Sequence, residues 1–186
     1  MTPDLDGGVD ILAGLWVDPE ATGAVAKFVA DDWRCTATGP IDSIHIWASW
    51  LEDFKPHVDP SKHGNFILAI YSDIPAVGGA YSRPGDLLWS EVFWEGDYIG
   101  RFWDDADEVF YDPNDDVILG SDTEAWQYNF YPTNPPDQTV GEIYWLAVSN
   151  PDLNGDGFIN ITDLGMLQSG SRFGWKTSDR HFNDYA

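Results

Sequence analysis

The chain is 186 residues long, enough for one domain with a sizeable core, and its 43% hydrophobic and 15% aromatic content excludes a disordered acidic tail. A formal charge of −23 with only 9 Lys+Arg leaves no basic footprint, which excludes nucleic acid and disfavours anionic membrane surfaces as partners. The opening Met1-Thr-Pro-Asp4 has neither the basic nor the apolar part of an export signal, and no apolar run is long enough to span a membrane; the chain is therefore expected to be either cytosolic or a mature piece of an exported protein.

Short apolar and aromatic runs alternate with Gly, Pro, Asn and Asp clusters, the pattern of a sandwich or barrel. The first predicted strand is Ala24–Ala30, followed by the acidic pair Asp31-Asp32 and the lone Cys35, which reads as a buried small apolar residue. Next comes Ile41–Leu51, apolar on both faces, with Ile44, Ile46 and Trp50 against Trp47 and Leu51. It predicts a central strand covered on both sides, with His45 in or near the core. Asn65–Tyr71, Asp86–Trp94 and Tyr98–Trp103 follow, punctuated by Pro75, Gly78-Gly79 and Pro84-Gly85. The run Asp104–Glu108, with Asp112 and Asp115-Asp116, reads as a solvated acidic loop. A hydrolytic carboxylate pair would need a defined separation and one raised pKa, and the spacing specifies neither. Ala125–Tyr131 places Trp126, Tyr128 and Phe130 on one face and Gln127 and Asn129 on the other, a half-buried antiparallel strand. Glu142–Ser149 and Arg172–Lys176 complete the strands. His57, His63 and His181 are scattered in loops without zinc-ligand spacing, and no catalytic residue is assigned.

Between the last two strands lies the segment Asp152 to Asp163, with oxygen side chains at loop positions 1, 3, 5, 9 and 12: Asp152, Asn154, Asp156, Asn160 and Asp163. Calcium takes about six to eight oxygen ligands, so a main-chain carbonyl, here that of Phe158 at position 7, must join the shell. Gly157 at position 6 permits the sharp turn, Ile159 is placed to pin the loop on apolar neighbours, and Asn160 would act through a water. A short helix is expected over Thr162–Ser169, capped by Thr162, with Leu164 and Leu167 on one side and Gly170 at its end. Calcium is thus the expected cofactor, with a structural and not a chemical role. The spacing favours it over magnesium, which prefers a tighter octahedron.

The ten Trp offer a second possibility. Trp47, Trp50, Trp126 and Trp145 lie in strongly apolar strands and read as core, whereas Trp89, Trp94 and Trp103 lie near polar turns and could form a sugar-stacking platform.

Asp152 to Gln168, DLNGDGFINITDLGMLQ, resembles one repeat of a dockerin, the module that binds cohesins in cellulosome-type systems and that often ends secreted proteins of planctomycete-like bacteria. The resemblance places the calcium ligands on Asp152, Asn154, Asp156, the Phe158 carbonyl, Asn160 and Asp163. A dockerin carries two repeats and a basic pair late in the helix; here there is one repeat, with Gln168 and Ser169 at those places. The likeness therefore implies calcium binding and does not extend to cohesin. The remainder, with the blocks FVADDWRC (28–35), TGPIDSIHIWASW (38–50), YSDIP (71–75), WQYNF (126–130), YWL (144–146), FGWKTS (173–178) and Asn183-Asp184, resembles a domain of unknown function from secreted bacterial proteins. That family implies an extracellular antiparallel β-sandwich, jelly-roll-like, with the repeat over 150–170 inserted in the single domain 1–186. The expected function is a non-catalytic calcium-binding module for adhesion, surface display or extracellular assembly. Its partner would be a polysaccharide or a surface or scaffold protein; the alternative is a carbohydrate-binding module, and a glycan hydrolase ranks behind both.

Overall fold

Period-two alternation decides which side chains meet between the sheets. The computed structural model describes residues 3–17, 24–168 and 170–178; Ser169, His181 and the Asn183-Asp184 block lie outside these. The strands are β1 (Val9–Leu12), β2 (Leu15–Val17), β3 (Ala24–Ala26), β4 (Val29–Arg34), β5 (Gly39–Pro40), β6 (Ile44–Trp50), β7 (Asn65–Ile74), β8 (Arg83–Phe93), β9 (Tyr98–Asp112), β10 (Val117–Phe130), β11 (Asp137–Gln138), β12 (Ile143–Asp152) and β13 (Phe173–Lys176). The one α-helix among the described residues, α1 (Ile161–Gln168), falls between β12 and β13. The fold is all-β, as expected.

One sheet has the order β4-β12-β7-β8; the other, β1-β13-β6-β10-β9, closes on itself because β1 pairs antiparallel with β13 and parallel with β9. The other strand pairs described are antiparallel. The main core lies between the sheets. Ile46, Trp50, Tyr98, Tyr128, Phe130 and Phe173 of the closed sheet meet Phe66, Leu68, Ile70, Phe93 and Val148 of the open one. Phe66 sits at the centre, with the rings of Tyr98, Tyr128, Phe130 and Phe173 at 4.9 to 5.2 Å, edge-on or tilted.

Several elements differ from their sequence reading. Ala24–Ala30 is two strands, broken at Lys27, whose ammonium pairs with the buried Asp112 at 2.5 Å. In β6 Ile44, Ile46, Ala48 and Trp50 face the main core; on the other face His45 is exposed, Trp47 half-buried and Ser49 buried, so the strand is covered on both sides only at its C-terminal end. His63 is the reverse case, fully buried and held between the Tyr128 hydroxyl at 2.5 Å and the His57 carbonyl at 2.9 Å. Burial holds its imidazole neutral, with the pKa lowered from 6.5 to about 4. Asp104–Glu108 is not a loop. β9 runs through it to Asp112, burying Ala106, Glu108, Phe110 and Asp112 and exposing Asp105, Asp107 and Val109. Charge density concealed an alternating strand.

That alternation brings together five side chains, one from each strand of the closed sheet. The Lys176 ammonium (β13) lies 2.9 Å from Asp10 (β1), in contact with Glu108 (β9) and 3.8 Å from Asp122 (β10), with Ser49 (β6) beside Asp10 and Asp122. All five are buried. One ammonium cannot neutralise three carboxylates out of water, so a proton must be retained. Burial, together with the neighbouring Asp10 charge, raises Asp122 to about 8. Burial also raises Asp10 and Glu108.

Candidate metal centre

The Asp152–Asp163 loop begins at the last residue of β12, where the β12–β7 register shifts after Ser149. Asp152 Oδ1 accepts from the Gly155 amide at 3.0 Å; Oδ2 accepts from the Gly157 amide at 2.7 Å and from Asn65 Nδ2 at 2.6 Å. Asn154 Oδ1 accepts from the Asp156 amide, and Asp156 Oδ1 from the Phe158 amide, so alternate side chains curl the backbone. Asp163 closes the turn: its two oxygens accept from the amides of Asn154 at 2.9 Å and Asn160 at 2.8 Å. Asn160 Oδ1 accepts from the Thr162 amide at 2.7 Å, so Asn160 and Asp163 cap α1 reciprocally. The cap is therefore Asn160, two residues before the expected Thr162.

Two of the expected oxygen ligands converge on one atom. Asn160 Nδ2 donates to Asp156 Oδ2 at 2.7 Å and to the Phe158 carbonyl at 3.2 Å, and Asn154 Nδ2 reaches Asn160 Oδ1 at 3.4 Å. Asp152 Oδ1 and both Asp163 oxygens each accept one amide proton within the loop, which leaves a further lone pair on each. Among the described residues, no three acidic, histidine or cysteine side chains alone form a group able to hold a metal. The donor set suits calcium only with its neutral members, Asn154, Asn160 and the Phe158 carbonyl. Burial raises the Asp152 carboxyl; the Gly157 amide and Asn65 oppose that shift, while the charges of Asp163 and Asp156 add to it. A dication beside these carboxylates would reverse the mutual repulsion.

Residues distant in sequence buttress the loop. Gly155 (φ +71°) lies against the Glu95 carboxylate and Gly157 (φ +90°) under the Trp94 ring. A Cβ would come within 2.4 Å of Glu95 Cδ or 2.9 Å of Trp94 Cζ3, so both positions need glycine for room as well as for backbone conformation. Glu95 also accepts from the Gly64 amide, and its own amide donates to Asn65, joining the loop to β7. Ile159 is exposed and anchors nothing; Leu153, 1% exposed, and Leu167 of α1 enter the main core instead. The loop and helix are therefore part of the domain's packing. Asn65, Trp94 and Glu95 had no local signal, because their role arises from strand pairing.

The three Trp singled out in the sequence fall in different places. Trp89 on β8 is half-buried against the main core, Trp94 covers the loop, and Trp103 on β9 meets Trp47 edge-on at 5.5 Å. Trp50 and Trp145 are buried as expected, whereas Trp126 is only half-buried. Cys35 is buried, with Sγ 2.9 Å from the Ala37 carbonyl.

A family profile described as a domain of unknown function, DUF7901, matches residues 2–186. The chain belongs to the DUF7901 family. No curated protein and no solved structure matches it. The matched residues of this DUF7901 chain include the Asp152–Asp163 loop.

Proposed function

We propose that this DUF7901 domain is an extracellular, non-catalytic calcium-binding β-sandwich module serving adhesion, surface display or extracellular assembly. Its single dockerin-like repeat would hold the ion. The reading is carried by one observation: position-5 and position-7 oxygens, from Asp156 and Phe158, meet at Asn160, while Asp152 and Asp163 brace the two ends of the same loop. The ligands would be Asp152, Asn154, Asp156, the Phe158 carbonyl, Asn160 (through a water) and Asp163. Calcium would supply positive charge among the carboxylates and order the segment that carries Leu153 and Leu167 into the core. An extracellular setting suits a calcium-dependent module, and the resemblance to secreted bacterial proteins supports it.

The test is thermal melting in saturating calcium and in chelator. A ligand at about a thousand times its Kd adds roughly 4 kcal/mol, or about 8–16 °C for a domain of this size. Asp156→Ala should abolish the difference while the fold survives. Trp94, packed on Gly157, should sensitise terbium luminescence in the loop, and Trp94→Phe should remove most of that signal. Equal melting with and without chelator would overturn the structural role.

A further inference from the structure

The face of the closed sheet turned away from the main core carries, beyond the buried Ser49, an arrangement of aromatic and polar side chains. Two cross-strand rows turn away from the core: Trp47, Gln127 and Arg101, and beside them His45, Asn129 and Ile99. Arg101 Nε donates to Gln127 Oε1 at 2.7 Å, and its guanidinium lies 5.3 Å from the centre of the Trp103 ring. His45 pairs with Asn129 Oδ1 at 2.5 Å, and Asn129 Nδ2 donates to the Ile99 carbonyl. Trp103 is thus held before any ligand arrives, between an arginine and the edge of Trp47. Gln127 and Asn129, amides that usually seek water, are buried at the base of this face.

Next to it opens a cavity of about 150 Å³ lined in part by Trp33, Trp47, Trp175, His45, Asp31 and Asp32.

We propose that this face binds a neutral glycan, with a sugar ring packed against Trp103 and Trp47 and its hydroxyls meeting the exposed polar side chains beside them, Arg101 and His45. Pyranoses offer apolar C–H faces together with hydroxyls that both donate and accept, the two properties this surface answers. The charge of the chain, −23, repels uronic or sulfated polymers, so the ligand is uncharged. This goes beyond the calcium reading and does not depend on it. Trp89 and Trp94 lie elsewhere and take no part.

Affinity electrophoresis of the whole chain, in calcium, tests the assignment with gels containing mixed-linkage β-glucan, xylan, galactomannan or dextran, and with alginate and polygalacturonate as acidic controls. Retardation by at least one neutral polymer is expected, weakened about tenfold or more by Trp103→Ala and by Trp47→Ala. Trp103 is partly exposed, so Trp103→Ala should keep the native far-ultraviolet circular dichroism and melting temperature. No retardation by any neutral polymer overturns the proposal, as does retardation that both variants retain or binding confined to the acidic polymers. Calcium-dependent melting that persists beside any of these results leaves the calcium reading standing.

Discussion

Replacing Asp122 by Asn should lessen a fall in stability that the native chain shows above neutral pH. The folded-state pKa of Asp122 is raised from 3.8 to about 8, so between those values the folded chain holds a proton that the unfolded chain has lost. Its contribution is complete below 3.8 and is lost as pH rises through about 8. Asp10 and Glu108 are raised in the same sense. His63 works the other way. Its folded pKa is lowered from 6.5 to about 4, so its contribution is present above 6.5 and lost as pH falls towards 4. The two slopes oppose one another below 6.5; above it the His63 slope is gone, while those of the raised carboxylates, Asp122 among them, remain. At about 1.4 kcal/mol per pH unit, the window from 6.5 to about 8 carries roughly 2 kcal/mol. Urea denaturation across a buffer series, in saturating calcium to keep Asp152 ionised, reads this directly. Asn stands in for the protonated acid beside Lys176, so Asp122→Asn should fall less steeply than the native chain through the window. A flat native curve, or an equal fall in the variant, would refute the assignment of the retained proton.

Asn65→Ala removes the amide that holds Asp152 Oδ2, a charge-assisted bond worth about 1.5–3 kcal/mol, and should weaken calcium by about tenfold or more in isothermal titration. Unchanged affinity would mean that the β7 tether does not position the loop. Leu153→Ala empties a fully packed place where the loop enters the main core and should cost about 2–5 kcal/mol in calcium and in chelator alike. A loss seen only in chelator would show that the ion, not the core, seats the segment. Acidification should also weaken calcium, because the raised carboxyl of Asp152 takes up a proton and leaves the ligand set; an affinity independent of pH would count against Asp152 as a ligand.

By itself the amino-acid sequence determined what depends on neighbours along the chain. The alternation of Trp126, Tyr128 and Phe130 with Gln127 and Asn129 identifies a strand, and the spacing from Asp152 to Asp163, with its glycines, identifies the loop and the short helix after it. These follow from a backbone period or a turn geometry that nearby residues settle. The tertiary structure alone decided what those elements meet. Lys176 finds Asp10 across 166 positions, Asn65 finds Asp152 across 87, and Trp47 finds Trp103 because β6 and β9 flank β10. The acidic run at Asp104–Glu108 was misread for the same reason. Whether a carboxylate is solvated or buried depends on a partner ammonium brought by another strand, and no local pattern records that pairing.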